Sequence, residues 1–464
     1  ADFAVERALA GAAAPKPVQV YVLMGQSNMV GIGQVHGRSR RWGAEMRDPV
    51  VSVYDGEHDP TADYDALEPR EILALASFGG TKPTPFPQSD AEPSLGDRTY
   101  VVRGTVRVHE TGTYLFRPGY GASTHNAMVV AGAEVHRREV GADSLHTPVR
   151  LEAGEDHPFT ITFLTEAADG LGWIERVDVP GTLTTVVKTE GRFPYLVDGD
   201  GAWTARDDVW YRGVITATAN RPLSVGCGAN DRTIGPELGF GHVVGDHHDA
   251  PVLLVKASQG NRSLGWDYLP PGGERFTHEG RTYAGRGDRI PSWTEDDPGE
   301  EVDWYAGKQY DDCVRAVHEV LDRWPKDFPQ HAERGYEIAG FVWWQGHKDG
   351  NAAHAGRYEE NLVRLIHALR REFDAPDAPF VLGTIGFHGW DMDGHHRTIA
   401  EAQLAVGGSP DLAGSVRTVE TRGFWRDASV SPRDQDFHYN GNAETYLLVG
   451  EALGRAMVDL IEGR

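Results

Sequence analysis

Five short segments that read as buried parallel strands constrain the fold of this chain most. They are Val18–Met24, Val252–Ala257, Glu337–Trp344, Phe380–Ile385 and Ser415–Glu420. The first, VQVYVLM, is β-branched-rich and almost wholly apolar, which suits a strand covered on both faces. Helical patterns lie between the later runs: Trp304–Trp324, the strongly amphipathic Tyr358–Phe373, and the shorter Arg397–Val406. A last one, Asn442–Ile461, closes the chain with Asn442 as its expected N-cap. Strands alternating with helices predict a doubly wound α/β domain around a parallel five-stranded sheet.

More than two hundred residues separate the first run from the second, far too many for one crossover. From about Arg98 to Val187 the pattern changes to alternation broken by turns, as in TYVVRGTVRV, GTYLFRPG and NAMVVAGAEV. This predicts an all-β sandwich inserted into the α/β domain. The expected division is 1–97 and 188–464 for the α/β domain and 98–187 for the insertion. GGTKPTPFPQSDAEPS, just before it, reads as a linker.

Lys plus Arg number 45 against 69 Asp plus Glu, a net charge of −24. That argues against nucleic acid and anionic membrane as partners, which need clustered cations. No apolar run of membrane-spanning length occurs. The start, ADFAVERALAGAAAPKP, reads as that of a secreted or periplasmic chain whose signal peptide has been removed, though a trimmed cytosolic chain would look the same. Cys227 and Cys313 allow one disulfide or two free thiols, and cannot build a cysteine metal site.

The first strand ends in MGQSNM. Gly25 permits a sharp exit, and ligands of open parallel sheets bind beyond the carboxyl ends of strands. Ser27 there is either a capping serine or a nucleophile, and the second role needs a base and donors for an oxyanion. His438, just before the last helix, is a candidate base near neutral pH, or a loop histidine.

Five segments in order settle the direction of the reading: MGQSNMVG, IGPELGFG (Ile234–Gly241), VKASQGNRSL (Val255–Leu264), VWWQGHKD (Val342–Asp349) and FHYNGNAETY (Phe437–Tyr446). Together they resemble the SGNH hydrolases, and more narrowly carbohydrate esterase family six and the sialate O-acetylesterase-like group. The resemblance implies a flavodoxin-like sheet, Ser27 as nucleophile and His438 as base. It implies oxyanion donors from the Ser27 amide, Gly260 and the Gln345 side chain. A packing amide against Trp343 and Trp344 is the plain alternative for Gln345. The orienting acid departs from the family pattern. Gln435 stands three residues before the histidine, flanked by Asp434 and Asp436, and His347 stands where a WQGE motif has its Glu. Asp349 is then the first candidate acid and Asp436 the second, and a Ser–His dyad is compatible.

Gln26, Asn261, Trp266 and Trp390 are candidate substrate contacts, the two Trp as stacking surfaces for sugar rings. GHVVGDHHDAP (Gly241–Pro251) gathers histidines and aspartates, but a loop before a strand explains it without a metal. Through TVRVHETGTYLF and VVAGAEV the insertion resembles protective-antigen-type modules, which implies either a carbohydrate-binding or a structural role. The expected activity is removal of O-acetyl groups from carbohydrate, without metal or organic cofactor. A broad small-acyl or aryl esterase, and an inactive glycan-binding protein on a hydrolase fold, are the alternatives. Neither the acetylated glycan nor the oligomeric state follows from the sequence.

Overall fold

In the computed structural model, VQVYVLMG forms β1 (Val18–Gly25), buried along its whole length. The structure describes residues 16–464 except 38, 57, 60–61, 76–77, 79–97, 120–124, 140–143 and 165–171. The chain divides into two units, one of residues 1–35 with 181–464 and one of residues 36–180.

The first unit is an α/β domain. The further strands of its main sheet are β2 (Ala205–Ile215), β3 (Asn220–Ser224), β4 (Val252–Ser258), β5 (Tyr336–Trp344), β6 (Phe380–Gly383) and β7 (Val416–Val419). They lie in the order β3-β2-β4-β1-β5-β6-β7. All neighbours are parallel except the β2–β3 hairpin. The five expected strands are all present, and the sheet gains β2 and β3 at one edge. Their sequence, ARDDVWYRGVI and NRPLS, carries the charged and polar residues of a strand exposed on one side.

The principal helices are α1 (Glu237–His247), α2 (Lys308–Asp322), α3 (Ala352–Glu372), α4 (Gly394–Gly407) and α5 (Ala443–Ile461). α2 begins at Lys308 rather than Trp304 because Gly307 is left-handed (φ 93°) and stops the helix there. The expected Asn442 cap is observed: its side chain accepts from Thr445 N. Helices cover both faces of the sheet. Trp343 on one face of β5 donates to Tyr358 of α3, while Gly340 and Trp344 on the other meet Met457 and Tyr446 of α5.

The second unit has two antiparallel sheets. One is ordered Leu145–His146, Ala133–Arg138, Asn126–Val130, His157–Leu164, Arg98–Val106, Met46–Asp55 and Glu71–Ala74; the other Val149–Leu151, Gly112–Pro118, Gly172–Arg176 and Ser39–Arg41. They enclose a separate core that includes Trp42, Phe116, Met128, Ile161 and Phe163. This unit starts earlier than residue 98, because Met46–Asp55 pairs along Arg98–Val106. At the other end, Leu183 and Val187 are buried in the core of the α/β unit, so that boundary falls at 180 rather than 187. The expected linker lies outside the described residues.

Candidate active site

Gly25 turns the chain out of the sheet at φ 155°, and a Cβ there would sit 2.2 Å from Trp344 O. Only glycine fits that close approach of two backbones. A single helical turn, Ser27–Val30, follows, with Gln26, Asn28, Met29 and Val30 buried and Ser27 partly open. The Ser27 N–H, in the first turn of a helix, has no acceptor among the described residues. β4 ends at the same edge, and Gln259 N donates to Gly25 O at 3.2 Å. Gly260 then lies beside the serine: a Cβ built on it would be 3.7 Å from Ser27 Cβ. The Gly260 N–H likewise has no acceptor among the described residues. Asn261 is exposed and left-handed (φ 56°).

His438 arrives on a tight loop whose next two residues, Tyr439 and Asn440, are both left-handed. Such a bend persists only when its surroundings hold it. Tyr439 is buried and its hydroxyl accepts from Gly386 N at 2.8 Å. Asn28, adjacent to the serine, joins this loop to the Ser27 turn. Its Nδ2 donates to Phe437 O at 3.1 Å, and its Oδ1 accepts from Tyr446 OH at 2.7 Å. Tyr446 shares the same hydroxyl hydrogen with His438 O at 3.2 Å. Sequence reasoning passed over Asn28 and Tyr446, although both stood inside quoted motifs.

Ser27 Oγ and the His438 ring make no hydrogen bond with each other or with another described residue, and His438 Nδ1 is buried without a partner. Catalytic hydrogen bonds are commonly loose before substrate binds. Burial, then the nearby Arg433 and His347, push the imidazole pKa down to about 4. No carboxylate among the described residues supports Nδ1. This corrects both leading candidates for the orienting acid. Asp436 pairs instead with His388 (Nε2–Oδ2, 3.3 Å) and accepts from Phe437 N. Asp434 is exposed. Asp349 is fully buried, and its oxygens accept from Leu264 N at 2.8 Å, Gly265 N at 2.7 Å and Gln345 Nε2 at 2.6 Å. It ties the segment after Gly260 to the end of β5. Burial raises its pKa, against the lowering pull of His354 and these hydrogen bonds.

Gln345 is also not the free donor expected of it. Its Nε2 faces three acceptors: Asp349 Oδ2, Arg262 O at 2.9 Å and Gln26 Oε1 at 3.2 Å. Its Oε1 accepts from Tyr358 OH at 2.8 Å. Gln26, expected on substrate, is a buried clamp whose Oε1 also accepts from Gly346 N and Lys348 N. Trp266 packs in a small core with Leu269, Ala284 and Ala306, so it has no face for a sugar. Trp390 is 67% exposed. Cys227 and Cys313 are free and buried. No group of three or more metal-ligating side chains occurs among the described residues. His242 and His247 of the histidine-rich segment lie on α1.

A buried ion pair links two of the sequence motifs. Lys256 of β4 donates to Glu237 Oε2 at 2.9 Å, and both side chains are inaccessible to solvent. Lys256 Nζ also donates to Val30 O at 2.8 Å and Cys227 O at 3.0 Å, so it fixes the end of the Ser27 turn.

The profile of the carbohydrate esterase, sialic acid-specific acetylesterase family matches residues 214–459, more than half of the chain. The chain belongs to this family. The family match includes Gly260, Gln345, Asp349 and His438, while Ser27 lies before it. No curated protein matches the chain. Among solved structures it is similar to a protein from Arabidopsis thaliana, at 16% identity and TM-score 0.36, covering 56% of this chain and 88% of that one. It is also similar to a carbohydrate acetylesterase from Xanthomonas citri, at 11% identity and TM-score 0.39, covering 79% and 72%. A third similarity, to the PA14 domain of the MpAFP antifreeze protein, has 12% identity and TM-score 0.18, and covers 28% and 78%.

Proposed function

We propose that the chain is a serine esterase that removes acetyl groups from carbohydrate. The observation that carries this reading is the pair of unspent backbone N–H groups at Ser27 and Gly260 beside the serine, on the edge to which Asn28 ties the His438 loop. Ser27 Oγ attacks the acetyl carbonyl while His438 accepts its proton. The two N–H groups receive the oxyanion that forms. His438 then protonates the departing sugar hydroxyl, and water, activated by the same imidazole, releases acetate and regenerates Ser27. With no carboxylate on Nδ1, Ser27 and His438 work as a dyad. Family membership supports an acetylated carbohydrate as substrate, with sialic acids and acetylated polysaccharides the two classes to compare.

The test is acetate release from acetylated sialic acids and from acetylated polysaccharides, with Ser27→Ala and His438→Ala as controls. Each substitution should lower turnover by about 10³- to 10⁶-fold while leaving the fold intact. Near-normal release by Ser27→Ala would sink the mechanism.

A further inference from the structure

Trp390 is the most exposed large apolar side chain among the described residues, at 67%. Its exposure is imposed by the backbone around it. Gly389 is buried, and a Cβ there would lie 3.3 Å from both Arg422 O and Trp425 Cβ. Met392 on the other side is buried too. The short turn Gly389–Asp391 is therefore packed down at both ends and presents the indole outward.

One face of that indole is already covered. The Arg422 guanidinium carbon lies 4.7 Å from the ring centroid. Arg422 is itself held by Glu420, with Nη2 2.6 Å from Oε2 and Nε 3.0 Å from Oε1. Glu420 in turn accepts from Thr384 Oγ1 at 3.2 Å. The cation behind the ring is thus fixed and neutralised, and the opposite face is left to solvent.

The platform stands on the same sheet edge as Ser27. Trp390 follows the carboxyl end of β6 and Arg422 that of β7, two and three strands from β1, or about 10 and 14 Å across the sheet. His388, two residues before Trp390, pairs with Asp436, two residues before His438. The exposed His388–Asp436 pair therefore joins the segment that carries Trp390 to the catalytic loop and offers polar groups there.

We propose that Trp390, backed by Arg422, is a stacking platform for a pyranose ring of an oligosaccharide whose acetylated unit is at Ser27. This rests on the esterase reading of Ser27. The C–H face of a pyranose is apolar and its edge is hydroxylated. It matches an open indole face on a turn that also carries His388 of the exposed His388–Asp436 pair, because the negative π-face attracts C–H groups while polar side chains nearby in the chain satisfy hydroxyls.

The experiment compares wild type, Trp390→Ala and Trp390→Phe on acetylated xylo-, manno- and chito-oligosaccharides and on p-nitrophenyl acetate. Trp390→Ala should raise KM for at least one oligosaccharide about tenfold, the effect of losing one aromatic stacking contact. Trp390→Phe should keep most of the affinity. Activity on p-nitrophenyl acetate should be the same in all three. Unchanged KM for every oligosaccharide, or an equal loss on the small ester, would overturn the proposal. Calorimetric binding of the deacetylated oligosaccharides separates this from the esterase reading. If wild type hydrolyses nothing, the esterase reading fails, yet binding lost in Trp390→Ala still supports the platform. Binding equal in both, or absent from wild type, overturns it.

Discussion

Replacing Glu237 by Gln removes one charge from a pair that has no contact with solvent. The amide keeps the shape of the carboxylate, and its oxygen can still accept from Gly235 N, which lies 2.8 Å from Oε1. What changes is that the Lys256 ammonium loses the one anion that pairs with it among the described residues, while remaining bonded to Val30 O and Cys227 O. Breaking a buried pair from one side costs about 3–5 kcal/mol, because the surviving charge stays desolvated. The α/β unit comprises residues 1–35 and 181–464, so its melting entropy is roughly 0.65 kcal/mol/K. The loss should lower its melting temperature by about 5–8 °C. Scanning calorimetry on the whole chain measures it, with Arg397→Gln as a control. The Arg397–Glu401 pair is more than half exposed, and its loss should cost about 0–1 kcal/mol. Because Lys256 Nζ holds Val30 O at the end of the Ser27 turn, kcat of the folded variant should fall as well. A shift no larger than that of Arg397→Gln would refute the reasoning.

Three other outcomes follow from the site and from the β unit. His438 must be neutral to act as base, and its pKa is pushed down to about 4, so kcat/KM should hold its plateau through mildly acidic pH and fall only near pH 4; an acid limb near the ordinary imidazole value would contradict this. Asp349→Asn turns an N–H toward one of three donors, at a cost of about 1–3 kcal/mol. It should lower stability and kcat but leave the acid limb of the pH profile in place, whereas a shift of that limb would restore Asp349 as the orienting acid. In the β unit, buried His136 accepts no charge readily: burial, then His146, lower its pKa to about 4. The unfolded chain takes up a proton near pH 6.5 and the folded one only near 4, so stability of this unit should decline by about 3 kcal/mol as pH falls through that window. His136→Gln should flatten the decline, measured by calorimetry.

The sheet was legible because strands covered on both faces must be apolar wherever they lie in the fold, and VQVYVLM and VLLVKA say so locally. Gly25 and Ser27 were legible for the same reason, since a turn at the carboxyl end of a buried strand is a local event. The β2–β3 hairpin was not, because β3 is the edge strand and β2 lies next to it, and the polar residues of half-solvated strands such as ARDDVWYRGVI resemble loop. Nor was Met46–Asp55, whose partner Arg98–Val106 lies across a long stretch of chain. The roles of single polar residues were decided only by tertiary contacts. Asp349 sits near Gln345 in sequence, but its other partners, Leu264 and Gly265, come from a loop more than eighty residues away. Those backbone donors saturate the carboxylate and take it from His438. Trp266 and Trp390 read alike as large aromatic residues in loops. The fold buries the first to 8% exposure and leaves the second at 67%. Side-chain type determines what a residue can do, whereas burial and the partners reaching it from distant segments determine what it is left free to do.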